Sequence, residues 1–141
     1  MGRTRHSFVT LRLRTLTENQ LMAKVLIVDD EHLTIEMLSS FLNLIGHQPV
    51  GAMSGRQMWD KLAYEDPEAI LLDIMLPDSN GLDLCRELRR NAQTRHLKII
   101  MISAYSPPLT REAEAAGANG YLAKPINLDK LKLALGSASV R

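Results

Sequence analysis

Six side chains stand out by type and by where they fall. Asp29, Asp30 and Glu31 follow the apolar run VLIV, Asp73 sits inside AILLDI, Ser103 ends KIIMIS, and Lys124 follows the run from Tyr121 to Ala123. Two unit charges ~4 Å apart repel by about 4 kcal/mol at an effective dielectric of 20, so gathered aspartates demand a counter-charge. A hard divalent cation meets that demand, because Mg²⁺ takes oxygen ligands and keeps several waters. Lys124 supplies further positive charge. A carboxylate beside such an ion is a nucleophile toward phosphorus and forms an acyl phosphate. Metal and lysine would neutralise the equatorial phosphoryl oxygens while Ser103 donates a hydrogen bond to one of them.

Other chemistries are poorly supported. The chain has no GxxxxGK[ST] phosphate loop, and its histidines (His6, His32, His47, His96) are scattered, with none at a strand end. An aspartate-nucleophile phosphatase would carry a second aspartate two residues after the first, where this chain has Met75. Plainer roles stand beside the chemical ones. Asp29 and Asp30 would also serve as helix caps, Ser103 as a turn residue and Tyr121 as packing. Trp59, the methionines and Cys85 read as core or surface fillers rather than a cofactor box.

The elements that must hold these residues alternate between two periods. Short apolar runs read as strands at Val25 to Val28, around Pro49 to Met53, at Ala69 to Ile74, Lys98 to Ser103 and Tyr121 to Ala123. Between them, apolar residues recur at helical spacing. Ile35, Leu38, Phe41, Leu42 and Ile45 form one set, and Met58, Trp59, Leu62 and Ala63 a second. Leu82, Cys85 and Leu88 form a third, and Leu128, Leu131 and Leu135 a fourth. A short alanine-rich helix capped by Thr110 precedes Gly117, and Asn127 caps the last helix. Five βα units with continuous apolar strands predict an α/β fold: a doubly wound five-stranded parallel sheet, flavodoxin-like, with helices on both faces. Ligands in such sheets sit beyond the strand carboxyl ends, where the six residues fall.

Composition bounds the rest. At 141 residues, 45% hydrophobic and 23% charged, the chain suits one globular domain. Its apolar runs are far shorter than the ~20 residues of a membrane-spanning helix, and lone Cys85 points weakly to a reducing, cytoplasmic setting. Residues 1–22 carry a net charge of +3, against 13 basic and 15 acidic side chains in residues 23–141. The remainder has no basic footprint for nucleic acid. Residues 1–22 read as a disordered extension without function, left by a vector or an alternative start. A transit peptide or an edge strand through Val9, Leu11 and Leu13 compete with that reading.

KVLIVDDE, LLDIMLPDSNGLDLCRELR, Ser103-Ala104, and Tyr121 with Lys124-Pro125 together resemble the receiver domain of two-component response regulators, in order and over residues 23 to about 136. The resemblance implies that Asp73 is the phosphoacceptor, taking its phosphoryl group from a partner histidine. It implies Mg²⁺ held by Asp29, Asp30, Asp73 and the backbone carbonyl of Met75, with Lys124 pairing Asp73. Ser103 and Tyr121 resemble the switch pair, Ala104 the small residue beside the phosphate, and Lys124-Pro125 a cis peptide. It further implies slow self-dephosphorylation rather than enzymatic turnover.

A sensor histidine kinase or histidine phosphotransfer protein would meet the active-site end beside the first helix. An effector protein would meet the fourth helix, fifth strand and fifth helix, and a homodimer on phosphorylation is compatible with this. Only Ser137 to Arg141 follows the last helix, which suggests a stand-alone module. A receiver taken from a larger regulator or hybrid kinase would read the same, and a phosphorylation-independent scaffold of this fold is a further alternative. The Ser103 to Lys124 interval is slightly tight for the family, and Pro107-Pro108 stiffens the loop after the switch serine.

Overall fold

A computed structural model describes residues 23–136, and the readings made for residues 1–22 lie outside them. Five strands, β1 (Lys24–Val28), β2 (Gln48–Ala52), β3 (Ala69–Asp73), β4 (Lys98–Ser103) and β5 (Gly120–Ala123), pair in parallel in the order β2-β1-β3-β4-β5. The helices between and after them are α1 (His32–Leu44), α2 (Gly55–Glu65), α3 (Gly81–Arg90), α4 (Thr110–Ala116) and α5 (Leu128–Leu135). The α/β architecture read from the sequence is the one observed. Strand bounds shift by one residue at β1, β2, β3 and β5, as expected where ladders fray.

Side chains alternate across a strand, so every central strand feeds two cores. Leu26, Val28, Ile70, Leu72, Ile99 and Met101 pack on one face with Met58 of α2, Leu84 and Leu88 of α3, and Ala113 of α4. Val25, Ile27, Leu71, Ile100 and Ile102 pack on the other with Leu38 and Leu42 of α1 and Leu131 and Leu135 of α5. Burying a side chain of this size is worth roughly 1.5–3 kcal/mol, and this two-sided burial fixes the register of β1 and β3. The edge strand β2 carries Pro49, whose missing N–H an edge tolerates.

Caps place the helices. Asn127 accepts the Lys130 N–H at 3.0 Å, as read from the sequence. Ser54 accepts from Gln57 at 3.1 Å and Asn80 from Leu82 at 2.8 Å. Thr110 is a correction. It is the first helical residue of α4, and the cap position is Leu109, which has no side-chain acceptor. The Leu109 N–H is taken instead by the Tyr121 hydroxyl at 3.0 Å.

At the opposite end of α4, Arg89 forms a clasp. Its Nε donates to Gly117 O at 2.8 Å, its Nη1 to Arg95 O and Leu97 O at 2.8 and 2.7 Å, and its Nη2 to Asn119 Oδ1 at 2.7 Å. Buried Cys85 lies alongside, its Sγ 3.4 Å from Ala116 O.

Candidate active site

Strand order reverses between β1 and β3, and the residues just past those two strands share one crevice. Ladder-type bonds continue beyond the strands and hold the site residues at its rim. Asp29 N–H donates to Ala52 O at 3.0 Å, Ile74 N–H to Ile102 O at 3.1 Å, and Lys124 N–H to Ser103 O at 2.8 Å.

Lys124 is the centre of the constellation. Its Nζ lies 2.7 Å from Asp29 Oδ2, 3.1 Å from Asp73 Oδ2 and 3.2 Å from Glu31 Oε1. Asp29 is fully buried and Asp73 is 4% exposed, whereas Asp30 is open to solvent. Asp29 Oδ1 accepts the Glu31 N–H at 2.8 Å, and Asp73 Oδ1 accepts the Met75 N–H at 3.1 Å. The plain reading of Asp29 and Asp30 as helix caps fails, because Glu31 occupies the cap position of α1.

Carboxylate oxygens of Asp29, Asp30 and Asp73 lie within 4.8 Å of one another. Four carboxylates including Glu31 face one ammonium, so the site is short of positive charge. Burial, resisted by the Met75 N–H and helped by the Asp29 charge, pushes Asp73 up to about 6. For Lys124, burial opposes the charge. Hydrogen bonds to Asp29 and Asp73 outweigh it and hold the ammonium above the ordinary lysine range. The Lys124 hydrogen bond, then the Thr34 hydroxyl, lowers Glu31. Among the described residues, buried Asp29 Oδ2 has no well-aligned hydrogen-bond donor beyond its ion pair with Lys124. A set of hard oxygen donors with this charge deficit fits a divalent cation such as Mg²⁺.

A cleft of about 710 Å³ opens onto this group, lined by Asp30, Glu31, Asp73, Met75, Ala104 and Lys124, with Thr34, Met37, Pro125 and Ile126 beyond. Asp29 backs it through Lys124. Ser103 does not line it: the residue is fully buried at the end of β4, and its Oγ accepts the Tyr105 N–H at 3.0 Å. Tyr121 is half-buried against the α2–α4 side of the sheet, and Lys124-Pro125 is cis. Sequence reasoning noted Glu31 without giving it a role, and its contact to Lys124 spans 93 residues with no local signal. Asp78 was missed altogether. Its carboxylate accepts the Gly55 and Arg56 N–H groups at 2.9 and 3.0 Å.

Comparison with known proteins agrees with this fold. A family model described as response regulator receiver domain matches residues 25–136. Response regulator MprA of Mycolicibacterium vanbaalenii is 36% identical over 109 residues, 77% of this chain and 46% of that protein. The sensory/regulatory protein RpfC of Xanthomonas campestris is 32% identical over 120 residues, 83% of this chain and 16% of that protein. The chain thus spans about half of MprA and a small part of RpfC. Among solved structures, chemotaxis response regulator CheY4 of Vibrio cholerae superposes with a TM-score of 0.75 at 30% identity, covering 83% of this chain and 98% of that one.

Proposed function

The chain belongs to the response regulator receiver family, and on that premise we propose that Asp73 is its phosphoacceptor. One observation carries the reading: a buried carboxylate at the end of the central strand lines the cleft with its Oδ2 3.1 Å from Lys124 Nζ. Receivers of this family are signalling switches that work with histidine kinases and effector domains. In the step we assign, an Asp73 oxygen attacks the phosphorus of a phosphohistidine. An O–P bond forms as the P–N bond breaks, and the imidazole leaves with the electron pair and takes a proton from solvent.

Lys124, already held charged by Asp29, balances the added phosphoryl charge. Met75 N–H orients the attacking carboxylate. Asp29, Asp30, Asp73 and the Met75 carbonyl would hold Mg²⁺, which when bound supplies positive charge to the phosphoryl oxygens. Ser103 and Tyr121 respond as the switch pair, and Ala104 leaves the approach open. Turnover by the chain itself is limited to self-phosphorylation from a donor and slow self-dephosphorylation.

The histidine-bearing partner meets the cleft beside α1, where Leu33 and Met37 are exposed and Met37 lines the cleft with Met75. The effector, or a second copy after phosphorylation, meets the α4, β5 and α5 face; α5 carries exposed Leu133. No helix among the described residues is long and apolar enough to cross a membrane, and the lone buried thiol of Cys85 supports a cytoplasmic setting. Intact-mass measurement after incubation with Mg²⁺ and a small acyl phosphate tests the proposal. Wild type should gain one phosphoryl group and Asp73→Ala none; undiminished addition to Asp73→Ala would refute it, and no addition to wild type would favour a phosphorylation-independent scaffold.

A further inference from the structure

The loop joining β3 to α3, residues 74–80, is tied down at both its base and its tip. At the base, Met75 N–H donates to Asp73 Oδ1 at 3.1 Å, Gly81 N–H to Ile74 O at 2.7 Å, and Met75 and Asn80 form an antiparallel bridge. A Cβ on Gly81 would lie 2.2 Å from Asp73 O, so only glycine lets the loop close directly behind the phosphoacceptor.

At the tip, Asp78 Oδ1 accepts the Gly55 N–H at 2.9 Å and Oδ2 the Arg56 N–H at 3.0 Å, while Ser79 Oγ lies 3.1 Å from Oδ1. The first amides of a helix have no partner within it. Those of α2 are therefore met from two sources: Ser54 caps Gln57 from within the same segment, and Asp78 reaches across from a loop 22 or 23 residues away. A Cβ on Gly55 would lie 2.4 Å from Ser79 Oγ, so the loop tip and α2 approach each other closely here. The two amides hold the Asp78 carboxyl below the usual carboxylate range, which extends its ionised form further into acid.

The geometry points to Asp78 as a positioning residue: by fastening the loop tip to α2 it fixes Met75, and through the Met75 N–H it fixes the orientation in which the Asp73 carboxylate meets a cation and a phosphoryl group. This rests on the assignment of Asp73 as phosphoacceptor and extends it to a residue outside the cleft. The link also joins the site to α2, where half-buried Trp59 packs on the core.

Three variants separate positioning from mere helix capping. Asp78→Ala cuts the link, Asp78→Asn keeps one acceptor oxygen, and Ser54→Ala removes a cap of α2 without touching the loop. Mg²⁺ affinity is read by calorimetry, amide exchange at Met75 and Gly81 in metal-free protein, and stability by thermal melting. Asp78→Ala should weaken Mg²⁺ binding about three- to tenfold and speed exchange of both amides about tenfold or more. Ser54→Ala should lower the melting temperature comparably yet leave affinity within about twofold and both amides protected. Asp78→Asn should fall between.

Wild-type affinity and protection in Asp78→Ala, or equal losses in Ser54→Ala, would overturn the proposal. If wild type takes up no Mg²⁺, the metal assignment fails, and the exchange comparison alone decides the role of Asp78: acceleration confined to the Asp78 variants supports it, and none overturns it.

Discussion

The hydroxyl of Tyr121 in β5 accepts the backbone N–H of Leu109 at 3.0 Å, so an aromatic residue on the sheet holds the amino end of α4. Tyr121→Phe keeps the ring and removes this bond. Stability should fall by about 0.5–1.5 kcal/mol, the usual net value of one such bond. Urea titration checks the loss, and faster amide exchange at Leu109 than at Ala116 locates it.

Asp73 makes metal-free stability depend on pH in the direction opposite to a paired surface carboxylate. Burial raises it to about 6, so the folded chain binds this proton more tightly than the unfolded one. The resulting stabilisation is complete below the ordinary aspartate range and is lost as pH rises through about 6. Asp73→Asn should therefore be more stable than wild type at pH 7.5 without metal, by about 1–3 kcal/mol. The gap should close toward pH 4 and shrink when Mg²⁺ is added to wild type. Melts across that range with and without chelator test this, and a gap that widens in acid would contradict it.

Removing Lys124 leaves fully buried Asp29 and nearly buried Asp73 without their shared cation. Lys124→Met should cost roughly 3 kcal/mol, because breaking a buried pair strands a charge. Millimolar Mg²⁺ should restore part of the loss by supplying positive charge to the same carboxylates. Chemical denaturation with and without the metal measures both effects.

Arg89 makes four hydrogen bonds to groups on the loop before β4 and the loop before β5. Arg89→Met should lower stability by about 2 kcal/mol, since its charged donors are matched to carbonyl acceptors. Arg89→Lys should recover little, because one ammonium cannot reproduce a planar fork. Thermal melts of the two variants give the comparison.

Much of this was legible in the chain. Continuous apolar strands separated by helical spacing expose Asp73 as an anomaly inside AILLDI, and the strand-end rule collects Asp29, Asp30 and Lys124 around it. What escaped was non-local. Asp78 caps a helix that precedes it by 22 or 23 residues, and Glu31 reaches Lys124 across 93, neither with a periodic signature. Thr110 misled for a different reason. Its type suits a cap, but the helix already includes it, starting from a cap at Leu109 whose amide the Tyr121 hydroxyl accepts. Ser103 is correctly at a strand end, yet its burial and its bond from Tyr105 depend on loop packing that composition does not encode.

The seven-residue helix α4 is tethered unequally. Gly117 and Asn119 at its carboxyl end are gripped by a guanidinium, with the Cys85 thiol against the last turn, while one phenol holds the other end. Any force from the strand ends will therefore swing the Thr110 side about a fixed pivot near Gly117, and displacement on this surface will grow with distance from Arg89.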